Sequence, residues 1–553
     1  MMKRSLLFAI ATLLCSNAGA APAKESRRLS TDIIGKDIGY PASPTPSGLN
    51  CIAPLTEPNL ATTLYYNAAL QPAIAVNPLN GNNVVAAWQQ DCTAINSYFI
   101  VGENWPAMDI GIGYSSDGGA TWNRTLVPFQ NCNGGFIQGV GEASLAYSGN
   151  GKKVYLATKC QNISMDPNTS NQAGITVTVS SNNGATWSNP HWISTSSAPF
   201  PAAPDLTPSV STSNINKNNA FVVYESVNPT SVVEFSKSTD AGNSWSAHTP
   251  IYTPSLDLGD ADARAYYPSL TELPNGDLLC FMHRFHYATP SDFLYDIACI
   301  RSTDQGATWE THATHITNVN APSTYTCGVV DSDQMCYTQA TLQGYKTAVS
   351  QINNRLYVVF PYVFGNGLPQ IGLCVSCDNG HTWSAPAQVN RTPISAPNSQ
   401  AFNASVAVND HGLVGVLYHD FRNSQTSCQP GNTLADTWLA IYATLPTCSG
   451  GSTGVGLNFV NEVRLSPTSY VMENGPDYSY IGHYYATNSG YNSLVACNHN
   501  FYAAYIQSFN GPFSPPQPIF QTPPTIGTLI LDNNRRTTPV YSTVNGNQFT
   551  ANP

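Results

Sequence analysis

The strongest constraint on this chain is an eight-residue pattern that occurs five times. Ser115 to Trp122 reads SSDGGATW, and the later copies read SSNNGATW, STDAGNSW, STDQGATW and SCDNGHTW. The common form is S-x-D-x-G-x-x-W. The Ser recurs as Ser115, Ser180, Ser238, Ser302 and Ser376, so the copies start 65, 58, 64 and 74 residues apart. The acidic place is held by Asp117, Asp240, Asp304 and Asp378, with Asn182 in the second copy. The Gly recurs as Gly119, Gly184, Gly242, Gly306 and Gly380, and the Trp as Trp122, Trp187, Trp245, Trp309 and Trp383. Five spaced copies indicate a repeat architecture, in which each unit buries its apolar face against its neighbours. Ser and Asp side chains close turns onto nearby backbone groups, Gly permits the reversal, and Trp folds back as an apolar plug.

Each copy follows a short strand-like run, such as IGIGY, ITVTV or IGLCV. Around it sit three more strand signals, for example PAIAVNPLNGN, VVAAWQQ and a strand after Trp122. Four short strands per unit, repeated without a long helix, predict an all-β propeller. Six full units and a remnant from Ile481 to Gln507 give six or seven blades, with seven favoured if the N-terminal arm completes the remnant. The expected organisation is a leader over 1–20, a Pro- and Ser-rich arm over 21–66, the propeller over 67–510, and a Pro-rich tail over 511–553. Within that tail the apolar run Ile526 to Leu531 is the expected closing strand.

Lys3 and Arg4 precede an apolar run that ends before Ala18-Gly19-Ala20, the pattern of a secretory signal peptide. No later apolar stretch is long enough to span a bilayer. The expected protein is therefore soluble, monomeric, and secreted or periplasmic. Charged residues make up 10% of the chain and the net charge is −11, which argues against nucleic acid or an anionic membrane as partner. Of the 14 cysteines, Cys15 lies in the leader, leaving an odd number that export allows to pair. Cys92, Cys132, Cys160, Cys327, Cys336 and Cys428 fall in inter-strand loops and read as loop staples. Cys374 and Cys377 have CxxC spacing without the companions of a zinc site. No cofactor is called; Asp- and Asn-rich loops leave structural calcium open, without an EF-hand ligand run.

The repeated turn resembles the Asp-box of sialidases and other β-propellers, over roughly residues 70–510. The resemblance implies that the boxes lock hairpins on one face and that a ligand site opens on the other. The sialidase family uses a Tyr nucleophile, a Glu partner, an Asp acid/base and three Arg that clamp a carboxylate. Gly490-Tyr491-Asn492-Ser493-Leu494 is similar to the nucleophile segment and nominates Tyr491. Asp109, six residues before Ser115, falls at the acid/base place. Glu272-Leu273-Pro274-Asn275-Gly276-Asp277 through Arg284 resembles a family stretch whose Arg binds substrate. The family Glu would fall near Tyr267 and is therefore absent, with Arg264 nearby but offset. The first family Arg is missing, because no Arg occurs between Arg28 and Arg124. A second resemblance is to exported bacterial Asp-box proteins of unassigned activity. It rests on the opening Gln71 to Asp91, on Tyr418-His419-Asp420-Phe421-Arg422, and on Gly482-His483-Tyr484.

Each nominee has a structural reading beside the functional one. Asp296 also lies six residues before its box, and Asp436 heads the matching strand of the sixth unit, so Asp109 also reads as a strand-entry position. Asp420 and Arg422 also read as a pair across a loop. The function expected is a secreted, sialidase-like propeller directed at glycans, by binding or as a scaffold, without sialidase chemistry. The alternative is a glycoside hydrolase with an altered catalytic set. Its carboxylates would come from Asp91, Glu103, Asp109, Glu142 and Glu225. Arg284, Arg264, Tyr267, Asp420 and Arg422 are the substrate-binding nominees in either case.

Overall fold

The computed structural model describes residues 36–37, 61–96, 107–127, 137–162, 172–195, 205–227, 230–289, 292–319, 344–365, 367–396, 398–424, 434–471, 492–508, 529–532 and 537–549. Over these residues the chain is almost wholly β. Helix is confined to one turn at Pro254–Leu258 and a 3-10 turn at Gly546–Gln548. None is long or apolar enough to cross a membrane.

The strands form seven antiparallel four-stranded blades, which settles the blade number at seven. Each blade runs from an inner strand A outwards through B and C to D. The inner strands lie within Ala61–Asn77, Ile137–Tyr147, Asp205–Thr212, Arg264–Glu272, Lys346–Val349, Ala401–Val408 and Ser493–Cys497. Blade 4 is representative: Arg264–Glu272 pairs with Leu278–Thr289, then Asp292–Ser302, then Thr314–Asn318. The second strands are buried along nearly their whole length, as Ala220–Ser226 and Leu413–Asp420 show, because both faces of a blade are covered by neighbours. Among the described residues seven buried apolar clusters occur, and each spans two adjacent blades. Phe221, Val223 and Phe235 of blade 3, for instance, pack with Leu270, Cys280 and Met282 of blade 4.

The seventh blade is assembled from both ends of the chain. Ser493–Cys497 and Asn500–Ser508 are followed by Thr537–Asn545, and Lys36–Asp37 pairs on its outer edge. The closing strand is thus Thr537–Asn545. The apolar run expected to close the ring instead gives Leu529–Asp532, which lies parallel to Ala61–Asn77. Its register, Thr62 opposite Leu529, places it against the extended first strand of blade 1.

The five repeated turns have one geometry. Ser115 Oγ accepts from Gly119 N at 2.8 Å and donates to Asp117 Oδ1 at 2.8 Å, while the Asp117 carboxylate accepts from Thr121 N and Oγ1 at 2.8 and 2.7 Å. Hydrogen bonds from Thr121, Ser244 and Thr308 hold Asp117, Asp240 and Asp304 down to about 2. The turns also do more than lock their own hairpins, because each seats on the preceding blade. Trp122 meets Tyr541 of blade 7 edge-on at 4.8 Å, Trp245 meets Tyr155 at 6.4 Å, Trp309 meets Phe235 at 5.4 Å and Trp383 meets Phe281 at 6.0 Å. Trp187 packs into the cluster of Val85 and Ile112 in blade 1. Such aromatic pairs contribute about 0.5–1.5 kcal/mol each beyond their buried area. Gly306 shows why the pattern needs glycine: its φ is +84° and an added Cβ would lie 2.4 Å from Phe235 Cζ.

One disulfide is described, Cys377–Cys448, and it ties the blade 5 turn to blade 6. Cys377 is therefore not half of a CxxC pair, and Cys374 is buried apart from it. Of the expected loop staples, Cys92 and Cys160 lie inside strands Asn80–Asn96 and Val154–Asn162 and not in loops, with Cys160 Sγ 3.0 Å from Thr176 Oγ1, while Cys132, Cys327, Cys336 and Cys428 lie outside the described residues. Strands Leu278–Thr289 and Asp292–Ser302 form a long antiparallel pair in which Arg284 pairs with Asp296 and Tyr287 with Phe293.

Candidate functional site

The inner strands share a local defect that builds the site. Pairing slips between Leu70 and Ala73, Gly141 and Ser144, Leu206 and Ser209, Tyr266 and Ser269, and Phe402 and Ser405. Each slip is a β-bulge, and its first residue has a left-handed backbone without being glycine. These are Gln71 (φ +47°), Glu142 (+53°), Thr207 (+49°), Tyr267 (+55°) and Asn403 (+53°). A positive φ is uncommon for any residue with a Cβ and is a true outlier for a β-branched one such as Thr207. Strain of this kind persists only where the surroundings enforce it, and it clusters at binding and catalytic sites.

Four of these five bulge residues line one cavity on the propeller axis. Gln71, Glu142, Thr207 and Tyr267 enclose about 230 Å³ together with Tyr345, Lys346 and the small residues that follow each bulge. The cavity lies toward the end of the inner strands opposite the five repeated turns. The strand direction sets this: in blade 4 the inner strand runs from Tyr267 down to the Glu272–Asp277 turn, and Ser302 opens its box at that same lower end.

Hydroxyl groups lace the wall across the blade junctions. Ser493 Oγ accepts from Ile74 N at 3.2 Å, Ser144 Oγ from Val210 N at 3.0 Å, and Ser405 Oγ from Leu494 N at 3.1 Å. Tyr345 donates to the Tyr267 carbonyl at 2.7 Å, and its hydroxyl lies 3.1 Å from Ser269 Oγ. Glu142 Oε2 accepts from Thr207 N at 2.5 Å, which fixes its carboxylate across the blade 2–3 junction. The Gln89 amide donates to Gln71 Oε1 and holds the first bulge residue in place. Burial brings the Lys346 ammonium down to about 8, so it is largely charged at neutral pH. Burial also pushes the Tyr345 phenol well above its ordinary range, so it stays a neutral donor. The lining is a mixture of hydroxyl, amide and aromatic groups with one cation and one carboxylate among the described residues, suited to hydrogen-bonding a polar ligand while stacking on it.

The sequence nominees fall in three places. Tyr267 lines the cavity. Arg264 and Arg284 stand on the same blade but not in the lining. Arg264 is half-buried opposite Phe285. Arg284 grips Asp296 bidentately, Nε to Oδ1 at 3.0 Å and Nη2 to Oδ2 at 2.6 Å, and reaches Asp257 Oδ2 at 3.1 Å. Burial works to raise both carboxyls, but hydrogen bonds from Tyr252, Ala313 and His312 to Asp257, and from His315 and Arg284 to Asp296, hold them below the usual range. Asp420 and Arg422 lie in blade 6 and pair with each other, Nε to Oδ2 at 2.5 Å. Arg422 also binds Glu462 at 2.6 Å and stacks on Trp438 at 3.8 Å. Of the catalytic nominees, Tyr491 and Glu103 lie outside the described residues. Asp109 is in a strand opposite Gln90, matching Asp296 and Asp436 in their blades. Glu225 is buried opposite Leu206 and Glu142 is in the cavity wall.

The bulge positions were the missed signal. They precede a recurring small-residue step: Gln71-Pro72-Ala73, Glu142-Ala143-Ser144, Thr207-Pro208-Ser209, Tyr267-Pro268-Ser269 and Asn403-Ala404-Ser405. Aligning the units on that step, rather than on the box, would have found the cavity.

No family model matches the chain, and no curated protein matches it. Several solved structures align with the chain at low similarity. A protein of unknown function from Dyadobacter fermentans is 15% identical, with 69% of this chain and 99% of that one covered and a TM-score of 0.41. A Hadza microbial sialidase is 12% identical, with 88% and 67% covered and a TM-score of 0.40. An α-L-arabinofuranosidase from Fusarium graminearum is 15% identical, with 79% and 99% covered and a TM-score of 0.38. The propeller assignment rests on the strand pairing above and not on these likenesses.

Proposed function

We propose that this is an exported, glycan-directed propeller that binds carbohydrate in its axial cavity without sialidase chemistry. The observation that carries the reading is the cavity wall: strained bulge residues from four blades converge on a pocket of hydroxyl, amide and aromatic groups. Sugars present rings of hydroxyls for hydrogen bonding and apolar faces for stacking, and Tyr267, Gln71, Thr207 and Lys346 offer the complementary groups. The Cys377–Cys448 disulfide fits the leader-like N-terminus and an oxidising destination. Arg284, Arg422 and Arg464 are engaged by carboxylates away from the cavity lining, and Lys346 is the cation within that lining. One observation favours hydrolysis as a second reading: Glu142 brings a buried carboxylate into the wall, as an altered hydrolase would require.

A glycan array probed with the mature protein, together with a panel of fluorogenic glycosides, separates the two. We expect binding to a defined set of glycans and no cleavage of a sialoside. Turnover abolished by Glu142→Gln would establish the hydrolase instead. An array with no bound glycan would sink the carbohydrate reading altogether.

A further inference from the structure

The seven blade junctions are not fastened alike. Repeated turns seat across junctions 7–1, 1–2, 2–3, 3–4 and 4–5, and Cys377–Cys448 crosses junction 5–6. Among the described residues, junction 6–7 has neither a repeated turn nor a disulfide. At that junction, on the face that carries the repeated turns, Asp410, His411 and His499 come together. Each offers one ligand atom, and these atoms lie within 4.8 Å of one another. The two imidazoles stack at 4.0 Å with 30° between their planes, and His499 Nδ1 lies 2.9 Å from Asp410 Oδ1.

We propose that these three residues bind a divalent transition-metal ion of the zinc class, which fastens blade 6 to blade 7. Two neutral imidazoles and a carboxylate are donors that this class takes, with a water left to complete the shell. The donors sit on turns that are already rigid. Asp410 N donates to Asn498 O and Gly546 N to His499 O, both at 3.0 Å. Asn409 Nδ2 donates to the His499 carbonyl at 2.9 Å, and Asn409 Oδ1 accepts from His411 N at 3.0 Å and Leu413 N at 2.9 Å. The backbone therefore holds the two turns in register, and only side-chain rotation is needed to bring the donors to about 2 Å from one ion. His411 and Asp410 are exposed and His499 is half-buried, so an ion reaches the site from solvent. Junction 6–7 is also where a fastener matters most, because blade 7 is closed by Thr537–Asn545 and Lys36–Asp37 from the two ends of the chain.

The test is thermal melting and calorimetric titration of the untagged, metal-stripped full chain with zinc chloride. We expect one zinc per chain and a higher melting temperature, reversed by EDTA. The His411→Ala, His499→Ala double variant should melt like the metal-free parent and lose the zinc-dependent rise, since surface substitutions alone change stability little. Asp410→Asn, which removes a ligand carboxylate, should weaken binding by at least about 10-fold, no less than loss of a carboxylate that merely orients a ligand. His381→Ala, an exposed imidazole elsewhere on the same face, should behave as wild type. A wild type whose melting ignores zinc, or a double variant that binds zinc as tightly as wild type, overturns the proposal.

Discussion

Blades 4 and 6 bury ionic clusters at the same place and balance them oppositely. Both carry an Asp on the third strand, Asp296 and Asp436, and both precede the opposing residue with a fully buried histidine, His283 and His419. In blade 4 the residue opposite the Asp is Arg284, so the pair is neutral across the strands. In blade 6 it is Asp420, so two carboxylates face each other and arginines must come from elsewhere. Arg422 takes Asp420 and Glu462, while Arg464 takes Asp436 with Nε to Oδ1 at 2.8 Å, helped by Ser466 and Ser469. Burial pushes the Asp420 carboxyl up to about 6 against the pull of Arg422 and Thr392, whereas Asp296 is held low. The histidines differ in the same way. His419 is hydrogen-bonded to Asn492, Thr437 and Tyr470, while His283 is held by rings, face to face with Tyr295 at 4.6 Å. Burial brings them down to about 4 and about 3, so both are neutral near pH 7. One backbone position thus accommodates either sign of charge, provided the counter-charges are buried with it.

The largest expected effect breaks blade 4. Asp296→Ala leaves Arg284 buried with one carboxylate, Asp257, and the Tyr252 hydroxyl, and should destabilise by about 3–5 kcal/mol in a denaturant melt, as removal of one partner from a buried pair does. The next separates the blades by pH. Asp296, held below its unfolded value, stabilises above that value, and its contribution fades as pH falls through the folded pKa. Asp420, raised above its unfolded value, contributes at low pH and loses that contribution as pH rises through about 6. Asp296→Asn should therefore be most destabilising at neutral pH. Asp420→Asn should improve relative to wild type between pH 5 and 7; parallel pH profiles for the two variants would refute the contrast. A smaller effect, about 1–3 kcal/mol, is expected for Arg422→Lys, because one ammonium cannot hold Asp420 and Glu462 together. The smallest is Trp438→Phe, about 0.5–1 kcal/mol, through the weaker ring face beneath Arg422.

How far these regions were legible in the sequence follows from their physics. The five turns were legible because one local geometry needs one local pattern, and Ser, Asp, Gly and Trp have few substitutes there. Their seating on the preceding blade was not, because Tyr541, Tyr155 and Phe235 carry no shared motif. The closing strand was hidden because Thr537–Asn545 is mostly polar, while the more apolar Leu529–Asp532 pairs elsewhere. Arg284 was singled out, but nothing local announced Asp257, which arrives from a helical turn 27 residues away. The cavity was least visible, because Gln, Glu, Thr and Tyr do not advertise a left-handed backbone. That conformation is imposed by strand pairing and shows only when the units are aligned on their inner strands.

The most direct test of the account sets the axial cavity against the blade 6 cluster as the place where a glycan binds. The glycan array is run with wild type, Lys346→Ala and Arg422→Lys, each first shown by a cooperative melt to be folded at the array temperature. Loss of bound glycans in Lys346→Ala, with the wild-type pattern kept in Arg422→Lys, is the result the account predicts. A wild-type pattern in Lys346→Ala with loss in Arg422→Lys would contradict it.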